Sequence, residues 1–173
     1  MGLDLAWVWL NNPKKYIFWT IGNRAWRALM AGEYEKSRNL AIEWLKMAPE
    51  YPNSWHYNVA ICNGHQILGL LDLREHNVPA AIEQLWLTNT GSEQILVSHP
   101  SFRFLLASKL VKAGEHQAVI KFLNDMRNHK AAKNCPAKYK VLVESMRQNR
   151  SVVLAAWIES LKEGNIPDDP QWR

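Results

Sequence analysis

The chain has 173 residues, 47% of them hydrophobic, with eight Gly, eight Pro, nine Trp and a formal charge of +5. That suffices for one core or one short solenoid, and it excludes a collagenous or low-complexity chain. Cys62 and Cys135 lie far apart and fit no metal or redox spacing, so the expected compartment is reducing.

The punctuation along the chain is that of helices. Asn12-Pro13 offers a cap followed by Pro at the first helical position, where its missing N–H costs nothing. A helix is expected over 13–30, with Ile17, Ile21, Ala25, Ala28 and Leu29 as its apolar face, stopped by Gly32. A second runs over 34–48 on Tyr34, Leu40, Ala41, Trp44, Leu45 and Ala48, before Pro49 and Pro52. Asn53-Ser54 caps a third over 55–75, with Tyr57, Ala60, Ile61, Gly64, Leu68 and Leu71 on one side. Asn77 caps a fourth over 78–89 through Val78, Ala81, Ile82, Leu85 and Trp86.

His99-Pro100 opens a fifth helix, carrying Phe102, Leu105, Leu106, Ser108 and Leu110 to Ala113-Gly114. The sixth, 115–129, uses Val119, Phe122, Leu123 and Met126. Two more are expected at the C-terminal end: 136–147 on Tyr139, Leu142, Val143 and Met146, and 151–163 on Val152, Val153, Ala156, Trp157 and Leu161. The remainder, 164–173, reads as turn and tail. Period-two alternation is absent, so no strand is expected.

Three helix junctions look alike: Ala28 to Tyr34, Leu71 to Val78 and Lys109 to His116. Taking Tyr34, Val78 and His116 as equivalent, the spacings are 44 and 38 residues. They suit helical hairpins (13–48, 55–89 and 100–129) followed by C-terminal helices (136–163), because one hairpin cannot bury its own apolar face. In this pattern the chain resembles the tetratricopeptide-repeat superfamily. The resemblance implies an all-α, right-handed superhelix of about three antiparallel hairpins. A further resemblance, to an uncharacterised group of bacterial repeat proteins, is carried by Tyr57 to Leu70, Gly91-Ser92-Glu93-Gln94, His99-Pro100, Gly114-Glu115 and Gly164-Asn165-Ile166-Pro167-Asp168. Polar positions of that group are replaced here by Val59, Cys62, Asn63 and His65, and by Ile95, Leu96 and Val97.

No catalytic constellation stands out. Cys62 and His65 are three apart on one helix, the spacing of a nucleophile and its base, but no third orienting group is visible. The six histidines contain no zinc-binding pair, Asp168-Asp169 reads as a turn, and Gly residues fall at helix ends rather than in a phosphate loop. The sequence therefore predicts a non-enzymatic protein with neither metal nor cofactor.

Binding reads better. In a helical-repeat stack the first helix of each hairpin lines a concave surface, which selects Asn23, Arg24 and Arg27, then Asn58, Asn63 and Gln66, then Arg103 and Lys109. Arginine grips carboxylates through two parallel hydrogen bonds, so a protein or acidic peptide is the expected partner. The chain's excess charge sits between Met126 and Arg150, with seven basic residues against Glu144. Lys130, Lys133, Lys138, Lys140 and Arg147 of that patch offer the alternative of nucleic-acid binding. Trp7, Trp9, Tyr16, Phe18, Trp19 and Trp26 are too many for one helical stripe. They call for a folded-back segment before Asn12, for a second subunit in a homo-oligomer, or, third, with Lys14 and Lys15, for a membrane interface. No apolar run reaches the roughly 18 residues of a membrane span. The first ten residues lack the basic start of a signal peptide. Ala6 departs from the N-myristoylation pattern. The expected location is the cytoplasm.

Overall fold

A computed structural model describes residues 11–89, 104–128 and 140–167. They form seven α-helices and no strand: α1 (Pro13–Met30), α2 (Tyr34–Met47), α3 (Trp55–Arg74), α4 (Val78–Leu87), α5 (Leu105–Lys112), α6 (His116–Asn128) and α7 (Lys140–Lys162). A 3-10 turn, Ala48–Glu50, follows α2. The expected caps are made. Asn12 Oδ1 accepts from the Lys15 N–H at 3.0 Å, Ser54 Oγ from the His56 N–H at 3.2 Å, and Asn77 Oδ1 from the Ala80 N–H at 3.3 Å.

The stops of α1, α3, α5 and α7 share one geometry. After α1 the Gly32 N–H donates to the Leu29 carbonyl and the Glu33 N–H to the Ala28 carbonyl, the paired bonds of a Schellman cap. The same pair recurs after α3, where His76 donates to Leu73 and Asn77 to Asp72. It recurs after α5, where Gly114 donates to Val111 and Glu115 to Leu110, and after α7 at Gly164 and Asn165. Each cap needs one left-handed residue, and three of the four are glycine. The exception is His76, at φ 60°, where an L side chain crowds the backbone.

These caps place α1, α3 and α5 in one register. α1 packs antiparallel on α2, and α3 on α4; α3 also touches α1, α2 and α5, while α6 lies against α5 and α7. Two cores result. One joins Phe18, Ile21, Ala25, Ala28, Leu40, Ala41, Trp44 and Ala48 to Ala60, Ile67, Leu68 and Leu71. The other joins Leu85, Leu106, Leu110, Val119, Phe122 and Leu123 to Leu154, Trp157, Ile158 and Leu161. α3 separates them and contributes to both, through Ile67 and Leu71 on one side and Leu70 and Leu73 on the other.

Three expectations are corrected. Residues 140–162 form one helix rather than two, because Gln148-Asn149-Arg150-Ser151 contains neither Gly nor Pro to break it. The buried stripe of α7 is Leu154, Trp157, Ile158 and Leu161, which offers more apolar area than Val152, Val153 and Ala156; Val152 is left 70% exposed. On α1, Ile17 is 38% exposed, and Phe18 and Gly22 take the inner positions beside Ile21 and Ala25. The expected starts of the fifth helix and of the 136–147 helix lie outside the described residues, as do the linker 91–100 and the tail from Asp168.

Candidate functional site

The inner face of α1 is committed to packing. Gly22 lies directly beneath the Trp44 indole: a Cβ built at Gly22 would fall 2.2 Å from the ring. Glycine is required there because the ring occupies the space of a side chain. Trp44 Nε1–H donates to the Phe18 carbonyl at 3.0 Å, so the large ring of α2 is both packed and hydrogen-bonded against α1. Two turns away on both helices, Ser37 Oγ donates to the Ala25 carbonyl at 2.9 Å.

The second aromatic face of α1 is covered from within the chain. Trp19 stacks on His56 of α3 with ring centres 5.1 Å apart, and Phe18 stacks on Tyr51 at 4.6 Å. Lys15 Nζ lies 5.1 Å over the Trp19 ring. Trp26 is half-buried and packs against the N-terminal core. Thus α3 and Tyr51, rather than only a folded-back segment or a second subunit, supply neighbours for these rings; Trp7 and Trp9 lie outside the described residues. Burial holds the His56 pKa below its ordinary value, and the nearby charge of Lys15 lowers it further.

The eight residues expected to line one binding face divide sharply. Asn23, Arg24 and Arg27 are exposed on α1, and Lys109 is exposed on α5. Asn63 is half-buried, and Arg103 lies outside the described residues. Asn58 and Gln66 are buried, at 4% and 0% exposure, so neither lies on an open surface. The cause is the position of α3, which has helices of both neighbouring hairpins against it and little free surface. The amide of Gln66 has no hydrogen-bond partner at either atom. Of the basic patch, Lys140 and Arg147 fall on α7, while Lys130, Lys133 and Lys138 lie outside the described residues.

Cys62 and His65 are both engaged in the packing of α3. Cys62 is buried, and His65 Nδ1 meets Gln84 Oε1 of α4 at 2.8 Å. Burial lowers the His65 pKa, partly offset by that hydrogen bond. Among the described residues no three His, Cys, Asp or Glu side chains converge as metal ligands. No helix among them is long and apolar enough to cross a membrane.

One polar cluster ties the first hairpin to the second. Arg38 of α2 donates to Asp72 at 3.0 Å and to Glu75 at 2.8 Å, at the C-terminal end of α3. Burial disfavours the guanidinium charge, but hydrogen bonds to both carboxylates outweigh it and hold the Arg38 pKa above its ordinary value. Arg74 lies 3.6 Å over the Tyr34 ring beside it, a cation–π contact across the same seam. Sequence reasoning missed this cluster because its partners are 34 and 37 residues apart. Only the stacking of α2 on α3 brings them together.

The register defined by the cap turns gives the exposed residues of α1 a position. Counted back from Gly32 and His76, Thr20, Asn23, Arg24 and Arg27 correspond to Gly64, Ile67, Leu68 and Leu71 of α3. In α3 those positions meet the first hairpin: a Cβ at Gly64 would fall 2.8 Å from Leu45 of α2, and Ile67, Leu68 and Leu71 are core. Arg24 and Arg27 are thus exposed on α1 at positions whose α3 counterparts are core. Compared with known proteins, the chain matches no family model, no curated protein and no solved structure.

Proposed function

We propose that the chain is a non-catalytic, cytoplasmic protein-binding module, an adaptor or an inhibitor of one partner, built as a tetratricopeptide-like right-handed stack. The recurrence of one cap turn in one register after α1, α3 and α5 carries the reading. Around that turn, Leu68-Gly69 and Leu106-Ala107 stand at equivalent places, followed by Ala81 with Leu85 and by Val119 with Leu123. The first of these sets, Leu68-Gly69, Ala81 and Leu85, follows the Leu-Gly, then small residue, then large apolar residue of tetratricopeptide units, and the second keeps its apolar character. Stacks of this kind hold partners on rigid helix faces, and their first helices present polar side chains that their own core does not use.

The test is affinity capture of the tagged full chain from its native host, followed by reconstitution with the purified partner. A protein recovered at stoichiometric level and re-forming a saturable complex after nuclease treatment is the expected result. Recovery of no protein partner overturns the reading. Recovery of nucleic acid alone would favour the basic segment instead. In that case affinity should fall steeply with salt and collapse when Lys130, Lys133, Lys138 and Lys140 are neutralised together.

A further inference from the structure

We infer that the exposed face of α1 is a seat for an acidic amphipathic helix of a partner protein, which lies on α1 as the first hairpin lies on α3. This rests on the module reading above and names the surface and the chemistry of its partner.

The argument begins with the shared register. Thr20, Asn23, Arg24 and Arg27 follow one another at i, i+3, i+4 and i+7, the spacing of a single helical face. Their counterparts on α3 receive the preceding hairpin. The counterpart of Arg24 on α5 is Leu106, fully buried and in the space beside Gly69 of the preceding α3. A Cβ added to Gly69 would fall 2.4 Å from Leu106. On α3 this strip meets the first hairpin, and on α5 Leu106 meets the preceding α3, while Lys109, the α5 counterpart of Arg27, is exposed. On α1 the same strip exposes Asn23, Arg24 and Arg27, with Ile17 at its edge.

The chemistry of the strip selects its occupant. α1 carries Lys14, Lys15, Arg24 and Arg27 and no acidic residue. Neither Arg24 nor Arg27 forms an ion pair among the described residues. The two guanidinium groups are three residues apart on one face, so two carboxylates a turn apart on a facing helix match them, each gripped by a planar fork. Ile17 adds an apolar contact that a partner helix can cover and a phosphate backbone does not use. A second copy of this chain is a poor occupant. Meeting face to face would oppose two cationic helices.

The experiment uses the full chain and fluorescence anisotropy with four labelled probes. They are a stapled helix of about five turns bearing a leucine stripe flanked by glutamates, the same helix flanked by lysines, an unstructured polyglutamate, and a DNA duplex. The glutamate-flanked helix should bind best. The double variant Arg24→Glu/Arg27→Glu should weaken it by at least about tenfold and bind the lysine-flanked helix instead. Both arginines are exposed, so the variant should melt with the parent, and a thermal scan checks this. The seat is disproved by no binding of the glutamate-flanked helix, by equal binding of polyglutamate or duplex, or by binding indifferent to the double variant. If the double variant still captures the host partner at stoichiometric level, the seat is wrong while the module reading stands. If the parent captures no protein, the module reading fails on its own test.

Discussion

The two cores of this protein solve the same packing problem with different residues. Among the described residues, five of the twelve buried core positions in the N-terminal cluster are alanine (Ala25, Ala28, Ala41, Ala48 and Ala60). In the C-terminal cluster only Ala81 and Ala107 are alanine among sixteen. Small side chains bring helix backbones close, so the first hairpin depends on a few specific fits: Trp44 over Gly22, and the hydrogen bonds of Trp44 and Ser37 to α1 carbonyls. The second core instead fills its space with branched aliphatics and with two edge-to-face aromatic pairs, Phe104–Trp157 and Trp86–Phe122. A core of specific fits fails at single positions. A core filled by volume tolerates exchange of one large apolar residue for another.

The largest expected effect tests that contrast directly. Trp44→Ala should cost about 3–5 kcal/mol, since it opens a cavity and removes a buried hydrogen bond. Trp157→Ala should cost about as much, and Trp44→Phe should lose the Nε1 hydrogen bond to the Phe18 carbonyl. Chemical denaturation of the three variants gives the comparison. Hydrogen exchange should show Trp44→Ala loosening α1 and α2 more than α6 and α7, since among the described residues α3 lies between the two cores and contributes to both. Equal loosening throughout would show that the stack folds as one unit.

Next in size is the strap between hairpins. Arg38→Met removes the partner of Asp72, whose side chain is only 10% exposed, and should cost about 1–3 kcal/mol. The double variant Arg38→Met/Asp72→Leu should recover much of that loss, because no buried carboxylate is then left unpaired. Urea titration of the single and double variants decides it.

Acid should weaken the seams on both sides of α3. His56 and His65 are held below the ordinary histidine pKa of 6.5, mainly by burial. The unfolded chain therefore takes up protons that the folded chain resists. Their contribution is complete above the unfolded value, declines as pH falls through 6.5, and stops declining below the depressed folded values. Melting temperature measured across this range should fall toward acid. His56→Phe, which keeps a ring against Trp19 and removes one titrating group, should flatten the fall.

The smallest expected effect is a gain. His76 holds the left-handed position that Gly32, Gly114 and Gly164 fill elsewhere. His76→Gly should stabilise by about 0.5–1 kcal/mol, the relief of backbone crowding less the entropy of an added glycine. Gly114→Ala should destabilise by about 1 kcal/mol. Melting temperatures of both variants should move in opposite directions.

Much of the framework was legible in advance. Asn12, Ser54 and Asn77 marked helix starts that α1, α3 and α4 keep, and the resemblance among the junctions at Gly32, His76 and Gly114 proved to be one hydrogen-bonded turn. The candidate binding residues were less legible. A polar residue on a helix declares only that its side chain needs hydrogen bonds, and Gln66 and Arg24 look alike by that measure. Gln66 is buried because neighbouring helices pack around α3, whereas Arg24 is exposed because α1 begins the described stack.

The amino-acid order by itself determined where the helices start and stop, since capping side chains, Pro and Gly act within a turn of their own position. It also set the likeness of three helix junctions, which share one hydrogen-bonded turn. Only the tertiary structure decided which face of each helix is inside. It chose Leu154 over Val152, drew Arg38 to Asp72 across 34 residues, and left Arg24 and Arg27 of α1 exposed. The physical reason is one of range. Caps and turns are local bonds, whereas burial depends on which distant segment comes to lie against a surface.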